Sequence, residues 1–191
     1  NLILGAAHVS DHILHFYHLA ALDYVDVTKV AKYEGSDPDL KSIKAFIERG
    51  SLGPFVPRYE GDYRLPDELD RAAVAHYVKA LEIRRKGHEA VALLTGRIPH
   101  TASVVPGGMT EVPTVDKIAS ILWRLNELKD FGDNVYIPDV LAVAGVYSDY
   151  FRVGAGCKNY LSYGAYDLDG KSQVLTTGTL SYLGGTLVTL T

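Results

Sequence analysis

Hydrophobic and polar positions from Leu2 to Tyr150 recur at steps of three and four, the spacing of one helix face. This pattern predicts a long first helix over residues 2–30, with apolar or aromatic side chains on most of its faces. A short second helix is predicted over residues 38–49, because Ser36 or Asp37 supplies an N-cap and Pro38 fits the first turn. A helix as apolar as the first one is typical of the interior of a larger helical core.

Two more helices are predicted from capping signals and apolar periodicity. The stronger one covers residues 65–95, with acidic residues at its start, basic residues beyond its middle and Gly87 as its weakest position. The other covers residues 114–132 and continues, after a break before Pro138, to about residue 150. The intervening Gly- and Pro-rich loop, residues 96–113, has a length that is often functional. Residues 51–65 are predicted to form an ordered loop.

The composition of the chain changes after Gly154. Short runs of tyrosine, threonine and β-branched residues, separated by glycine and aspartate, predict strands or hairpins around residues 160–164, 173–177 and 186–189. The predicted fold class is therefore mostly α (α+β). We expect a single segment of a larger domain, with a helical part over residues 1–153 and a β-rich part over residues 154–191.

Composition and charge exclude several classes of protein. The 191 residues include 19 Lys and Arg against 23 Asp and Glu, so no basic excess favours nucleic acid as a partner. The one cysteine, Cys157, cannot form an internal disulfide, and thiolate metal clusters need three or four cysteines. No apolar run reaches the roughly 18 residues of a membrane span. The chain begins inside a helical pattern without a leader, which favours a segment of a longer protein.

Four polar residues of the first predicted helix share one face. His8, Asp11, His12 and His15 follow the spacing 0, 3, 4 and 7, so they could hold a metal, or the carboxylate could orient an imidazole. Histidines at this spacing are also common as core or interface residues that bond to nearby backbone. Asp11 is the sharper signal, because a carboxylate on a buried apolar helix needs a partner.

His100 stands in the loop after Gly96 and Arg97, where a stiff turn can present it to a partner or let it relay a proton. An ordinary loop histidine fits the same pattern. Residues 106–108, Pro-Gly-Gly, lack the spacing of a phosphate-binding loop, so they predict a turn. Cys157 has no assigned base beside it and is predicted to be structural or surface-exposed.

Several ordered blocks of the sequence carry a resemblance to a known family. Residues 11–19, Asp-His-Ile-Leu-His-Phe-Tyr-His-Leu, lead into residues 21–27, Ala-Leu-Asp-Tyr-Val-Asp-Val. Further blocks are residues 51–55, 65–68, 75–82, 96–100 with 107–108, and 159–164. Together they resemble the large subunit of [NiFe] hydrogenases, with Tyr24 in the place of the usual tryptophan. The resemblance covers residues 1–170, and residues 171–191 fit less well.

The resemblance implies the helical large-subunit fold and the reversible oxidation of H2 to protons and electrons at a Ni–Fe(CN)2CO centre. It also implies a small-subunit partner whose iron–sulfur clusters take the electrons. The family binds its metals through two Cys-x-x-Cys motifs, and neither is present here, so this segment resembles the middle of the subunit and is expected to be inactive alone. A periplasmic or membrane-associated location, with export on the small subunit and membrane contact only through partners, is implied, and a cytoplasmic one stays open.

The resemblance also assigns roles to individual residues. Asp11 matches the carboxylate in the canopy above the metals, where it pairs with a distal arginine outside this segment. His12 and His15 match supporting histidines near the centre. His100 matches the loop histidine that faces the small subunit near its proximal cluster. None of these residues is a metal ligand in the family.

Two other functions stay open at this point. One is a cofactor-free helical binding or scaffold module that uses the His100 loop as a partner surface. The other is a metal-binding protein built on His8, Asp11, His12 and His15. Flanking Cys-x-x-Cys motifs in the parent gene would distinguish the hydrogenase from the scaffold, and metal analysis would test the third function.

Overall fold

The computed structural model describes residues 1–50, 61–154, 156, 159–169, 173–183 and 186–190. Cys157 and the first ten residues of the predicted loop 51–65 lie outside the described residues. The chain forms two compact units, one of residues Ile3–Val146 and one of Asn1–Leu2 with Tyr147–Thr191. Each unit is built from a different kind of secondary structure.

Helices dominate the described residues up to Val146. The α-helices are α1 (Leu2–Ile13), α2 (Pro38–Glu48), α3 (Asp67–Thr95), α4 (Val115–Phe131) and α5 (Ile137–Val146). A π-helical turn follows α1 (Leu14–Ala20) and another joins α4 to α5 (Gly132–Tyr136), and 3-10 turns occupy Ala21–Asp23, Val27–Lys32 and Ser148–Arg152. The strands β1 (Val104–Val105) and β2 (Gly108–Met109) pair antiparallel in the loop after α3. Among the described helices, none is long and apolar enough to cross a membrane.

The predicted first helix is wrong in its continuity. It is interrupted, because the chain leaves helical geometry at residues 24–26 before the 3-10 turn that starts at Val27. Within this chain the first helical segment is buried on one face, since Leu2 and Leu19 are 65% and 62% exposed. Within α1 the buried side chains are Ala6, Ser10 and Ile13. One buried stripe suffices here because α1 packs mainly against α3 and α4.

Helix boundaries coincide with capping residues, and Asp37 is one of the two N-cap candidates predicted for the second helix. Asp37 accepts hydrogen bonds from the backbone N–H of Asp39 and Leu40, at 2.9 and 3.0 Å, and so caps α2. Thr114 caps α4 by accepting from Lys117 N–H at 3.3 Å. Gly96 ends α3 in the left-handed region, with a positive φ that a glycine adopts without strain. These local signals confirm the predicted second, third and fourth helices.

The connection between α4 and α5 differs from the predicted break. The π-helical turn Gly132–Tyr136 carries the chain into α5 without a loop, and Pro138 is the second residue of α5. The predicted apolar stripe on α4 is partly right. Ile121 and Leu128 are buried, whereas Ile118 and Leu122 are 53% and 57% exposed.

One hydrophobic core of the first unit lies where the two π-helical turns meet. Its buried members are Ile13, Tyr17, Ala80, Ile83, Leu128 and Phe131. The ring centroids of Phe16 and Tyr136, one from each π-helical turn, are 5.6 Å apart, and those of Tyr17 and Phe131 are 5.8 Å apart. A π-helical turn holds an extra residue, and here the wider turns accompany ring contacts that are edge-on for Phe16 with Tyr136 and tilted for Tyr17 with Phe131.

Gly87, the predicted weak position of α3, lies against Ser10 of α1. A Cβ atom at residue 87 would lie 2.9 Å from Cβ of Ser10 and 3.2 Å from Cδ2 of Leu128. Real Cβ atoms do not approach other atoms this closely, so the glycine allows the two helices to pack backbone against side chain. The mid-helix glycine is therefore a packing requirement and not a break.

We expect Gly87→Ala to lower the free energy of unfolding by about 1–3 kcal/mol, because overpacking outweighs the roughly 1 kcal/mol that alanine gains in a helix. The matched control is Gly145→Ala in α5, where a Cβ meets nothing within 4 Å. That variant should be stabilised by about 0.5–1 kcal/mol. Urea unfolding of both variants measures the difference, and equal stabilisation of the two would contradict the close packing of α1 on α3.

The second unit contains one antiparallel sheet of three strands, β3 (Tyr160–Asp167), β4 (Gln173–Leu183) and β5 (Thr186–Leu190), in the order β3-β4-β5. Its register pairs Tyr160 with Leu180 and Asp167 with Gln173. The amide of Asn1 donates to the carbonyl of Asp167 at 2.5 Å, so the N-terminus joins this unit. The predicted β-rich C-terminal part is confirmed.

Candidate functional site

The four polar residues predicted to share a face of the first helix are all exposed to solvent. His8, Asp11 and His12 lie on α1, and His15 lies on the following π-helical turn. The rings of His8 and His12 meet edge-on, with centroids 6.4 Å apart. The prediction that Asp11 is buried is wrong for this chain, because the buried side of α1 faces away from it. The desolvation argument for a partner of Asp11 therefore has no basis within the chain.

Asp11 forms no hydrogen bond or ion pair with any residue that the structure describes. Its nearest electrostatic influence is on His88 of α3, where the negative charge of Asp11 opposes the lowering of the histidine pKa. A distal arginine partner for Asp11 stays a prediction. The carboxylate is thus available to a group that this chain does not itself supply.

The described residues do not form a metal centre. Nowhere in the ranges that the structure describes do three or more His, Cys, Asp or Glu side chains come together closely enough to hold a metal ion. A Ni–Fe centre also needs several thiolates, and the chain has one cysteine. The donor set present therefore does not fit such a centre, and the geometry gives no support to a metal site on His8, Asp11, His12 and His15.

His12 borders an apolar cavity of about 460 Å³ between α1 and the second π-helical turn. The lining residues are Val9, His12, Ile13, Leu125, Leu128, Lys129, Gly132, Asp133, Tyr136 and Ile137. Lys129 and Asp133 form an exposed ion pair with each other at its edge. The cavity suits an apolar side chain better than a charged ligand, because most of its wall is hydrocarbon.

His18 connects the first π-helical turn to α3. Its Nε2 lies 3.2 Å from the carbonyl oxygen of Tyr77, and the two rings meet edge-on at 4.8 Å. A carbonyl only accepts, so Nε2 carries the proton and Nδ1 is a bare acceptor in the neutral ring. Burial lowers the pKa of His18 below its usual range, the bond to Tyr77 opposes this, and the charge of Arg84 lowers the pKa further.

His88 shows the same effect one turn after Arg84. Burial is the main cause of its lowered pKa, and Arg84 adds to the lowering. Because the pKa values of His18 and His88 lie lower in the folded than in the unfolded chain, the unfolded chain binds more protons. Their stabilising contribution is present above the unfolded pKa of about 6.5 and is lost as the pH falls through the folded values.

We expect the free energy of unfolding to decrease as the pH is lowered from 7.5 to 5, and we expect His18→Gln and His88→Gln to flatten this dependence. Each substitution removes an uptake of up to about one proton on unfolding. Urea unfolding at a series of pH values measures the slope. Asn126→Gln, an exposed amide change on α4, controls for the substitution itself. Slopes that stay as steep in both histidine variants would contradict the lowered pKa values.

A buried hydrogen-bond network, which we call the Asp139 network, joins three helical elements. The hydroxyl of Tyr17 donates to Oδ2 of Asp139 at 2.7 Å, and Nδ1 of His76 lies 2.7 Å from the same oxygen. Tyr17 is fully buried, Asp139 is 7% exposed and a third of the His76 side chain reaches solvent. Burial and the carboxylate raise the pKa of Tyr17 far above its ordinary value. The phenol is therefore a fixed donor and not a proton carrier.

Sequence reasoning missed the Asp139 network, although a usable signal was present. Asp139 is a carboxylate on the apolar helix α5, and an acidic side chain on such a helix needs a partner when it is buried. The same argument was applied to Asp11, which is exposed. His76 and Tyr17 both lie in blocks that resemble the hydrogenase large subunit, without an assigned role.

A second buried carboxylate, Asp70, holds the start of α3 to the 3-10 turn Val27–Lys32. Asp70 is fully buried and accepts from the backbone N–H of Asp26 at 2.9 Å and from Nζ of Lys29 at 2.5 Å. The hydrogen bond to Asp70 raises the pKa of Lys29, so the lysine stays charged. The ion pair between Lys29 and Asp70 holds the 3-10 turn Val27–Lys32 against the start of α3. It thereby helps to position the helical segment that carries Asp11 and His12.

The loop after α3 presents His100 to solvent. His100 has a positive φ, in the left-handed region, and its carbonyl accepts from Nε of Arg97 at 2.8 Å. The hydroxyl of Thr95 donates to the carbonyl of Arg97 at 2.7 Å, and that of Ser103 to the carbonyl of Leu94 at 2.7 Å. These bonds give the loop a defined shape, with the imidazole on its outer side.

Comparison with known proteins identifies the class to which this fold belongs. The sequence model of a family described as nickel-dependent hydrogenase matches residues 1–188. The chain belongs to this family.

Individual relatives make the assignment more specific. The chain is 40% identical over 189 residues to the periplasmic [NiFeSe] hydrogenase large subunit of Desulfomicrobium baculatum, a match of 93% of this chain and 32% of the relative. It is 33% identical to the hydrogenase-2 large chain of Escherichia coli K12, which covers 90% of this chain and 36% of that one. The chain therefore spans about a third of the length of these relatives.

Solved structures confirm the predicted fold class. The Ni-Fe-Se hydrogenase from D. vulgaris Hildenborough, in its as-isolated oxidized state, matches with a TM-score of 0.80 at 39% identity, over 100% of this chain and 35% of that one. The Ni-Fe-Se hydrogenase from Desulfomicrobium baculatum, in a reduced, active form, gives a TM-score of 0.79 at 38% identity. The helical hydrogenase large-subunit fold, with a small β-rich C-terminal part, is thus confirmed.

Proposed function

We propose that this chain acts within a hydrogenase large subunit that catalyses the reversible oxidation of H2 to protons and electrons. The observation that carries the proposal is the match of the whole chain to a Ni-Fe-Se hydrogenase structure at 39% identity. The Ni–Fe(CN)2CO centre that performs the redox chemistry would take its ligands from residues outside this chain. The partner would be a small subunit with iron–sulfur clusters.

Within that subunit the chain contributes charge and hydrogen bonds near the centre. Asp11 supplies the carboxylate above the metals, and His12 and His15 support it from the same side of the first helical segment. Their exposure in this chain supports these roles, because side chains packed into its own core could not meet groups supplied by the rest of the enzyme. His100, on the outer side of its loop, would face the small subunit.

Purification of the complete hydrogenase that contains this segment tests the proposal. We expect nickel and iron in the large subunit, an iron–sulfur small subunit that copurifies with it, and H2 oxidation with an artificial electron acceptor. His100→Ala should weaken copurification of the small subunit, whereas Thr101→Ala, on the exposed neighbouring residue, should not. A well-folded large subunit that takes up no nickel and consumes no H2 would overturn the proposal.

The scaffold alternative predicts a different outcome of the same experiment. A cofactor-free module would be folded and metal-free, and it would still lose its partner in the His100→Ala variant.

Cell fractionation tests where the complete hydrogenase is located. The relative from Desulfomicrobium baculatum is named as periplasmic, and we propose export with the small subunit and membrane contact only through partner subunits.

A further inference from the structure

One flank of α3 carries an arginine for which the described residues supply no partner. Arg84 is half-buried, and its Nε atom is fully buried without an acceptor within hydrogen-bonding distance among the described residues. None of the ion pairs formed within the described ranges involves Arg84. A buried N–H group without an acceptor is unfavourable, and a bound acceptor would remove that cost.

Two contacts define where Arg84 lies. At one end Ser10 of α1 packs against Gly87, and at the other end His18 bonds to the carbonyl of Tyr77. Arg84 lies between these two points along α3, and Tyr77, Arg84 and His88 share a face because they are spaced by seven and four residues. The guanidinium therefore belongs to the strip along which α3 meets α1 and the first π-helical turn.

Three cations at the contact of α3 with α4 are paired with acids. Nζ of Lys86 lies 2.6 Å from Glu127, Arg85 pairs with Glu89, and Nε of Arg124 reaches Glu89 at 2.9 Å. The chain thus neutralises its cations where α3 packs on α4. Arg84 has no such partner among the described residues, although Arg85 follows it directly in sequence.

No described side chain near Arg84 pairs with its guanidinium. His18 and His88 have lowered pKa values and are neutral at pH 7. Neither ring therefore supplies a negative charge to the guanidinium of Arg84. Nδ1 of His18 is a second buried atom without a protein partner on this strip. Asp11 influences His88 but forms no ion pair with a described residue.

We infer that Arg84 is the anchor of a carboxylate-binding site on the strip between Tyr77 and His88, where α3 faces α1 and the first π-helical turn. A guanidinium offers Nε and one Nη as a fork that matches the two oxygens of a carboxylate. The carboxylate comes either from an Asp or Glu elsewhere in the hydrogenase or from a small free carboxylate. The site does not depend on the proposed catalytic function.

Thermal melting of the complete hydrogenase tests the inference, and this readout does not require H2 oxidation. Arg84→Met removes the charge and keeps most of the length of the side chain. If a carboxylate is bound by Arg84, the variant leaves it unpaired and Tm falls by several degrees. If no anion is present, removal of a lone half-buried cation leaves Tm unchanged or raises it, and the inference is overturned. Arg85→Met, on an exposed residue of the same turn, is the control.

A second comparison distinguishes the two sources. Replacing the chloride of the buffer by acetate should raise the Tm of the wild type, and not of Arg84→Met, if the site takes a free carboxylate. No effect of acetate, together with the lower Tm of Arg84→Met, indicates a carboxylate of the hydrogenase itself. If Arg84→Met does not assemble, the Tm of Arg84→Lys tests the inference instead. Lysine keeps the positive charge but lacks the two guanidinium N–H groups that match a carboxylate. A lysine variant that melts with the wild type overturns the inference.

Discussion

Asp11→Asn in the complete hydrogenase is expected to lower H2 oxidation about 100-fold while nickel and iron stay bound, the size of effect seen when one preorganised electrostatic group is removed from an active site. The amide keeps the size and shape of the side chain and removes only its negative charge. The fold should be unaffected, because Asp11 is exposed and bonds to no other described residue. Turnover with an artificial acceptor and metal analysis of the same preparation measure the two effects.

Asp23→Asn is the matched control for Asp11→Asn. Asp23 is also exposed and lies further along the same N-terminal segment, so its amide variant should turn over like the wild type. Loss of nickel from Asp11→Asn would show that the carboxylate has a structural role. Unchanged turnover would remove Asp11 from the proposed site altogether.

Asp139→Ala is expected to lower the free energy of unfolding by about 3 kcal/mol, because it leaves the buried hydroxyl of Tyr17 without an acceptor and removes the partner of His76. Tyr17→Phe keeps the packed ring and removes one hydrogen bond, so it should cost about 1–2 kcal/mol. Urea unfolding of the single variants and of the double variant measures the coupling between the two residues.

Asp133→Ala provides the reference for an acidic residue outside the Asp139 network. Asp133, on the second π-helical turn, forms an exposed ion pair with Lys129 of α4. Solvent screens such a pair, so Asp133→Ala should leave the free energy of unfolding close to that of the wild type. If Asp139→Ala costs no more than Asp133→Ala, the buried network does not hold the helices together. Independent effects of Tyr17→Phe and Asp139→Ala would lead to the same conclusion.

The parts of the fold that were predictable depend on neighbouring residues in the sequence. Asp37 and Thr114 cap their helices with side chains that bond two or three residues ahead, and Gly96 ends α3 through its own backbone freedom. The π-helical turns could not be predicted in this way. Their wider geometry accompanies ring packing between Phe16 and Tyr136, which lie in opposite parts of the helical sequence.

The candidate site, too, was predictable only where it depends on residues that are neighbours in the sequence. Periodicity placed Asp11 and His12 on one side of a helix, but it could not tell which side faces the core. The rule that a buried carboxylate needs a partner holds for Asp139, whereas Asp11 is exposed within this chain. Burial of Asp139 depends on Tyr17 and His76, 122 and 63 residues away, and no local pattern records contacts of that range.

The first π-helical turn has a consequence for how this segment tolerates change. One residue beyond the α-helical count rotates everything that follows it by about 100° around the helix axis. Removal of a single residue between Leu14 and Ala20 would restore a regular α-helix, turn Tyr17 or its successor away from Asp139, and shift His18 relative to Tyr77. Length is therefore under tighter constraint here than residue identity, and a one-residue deletion would be more damaging than most substitutions.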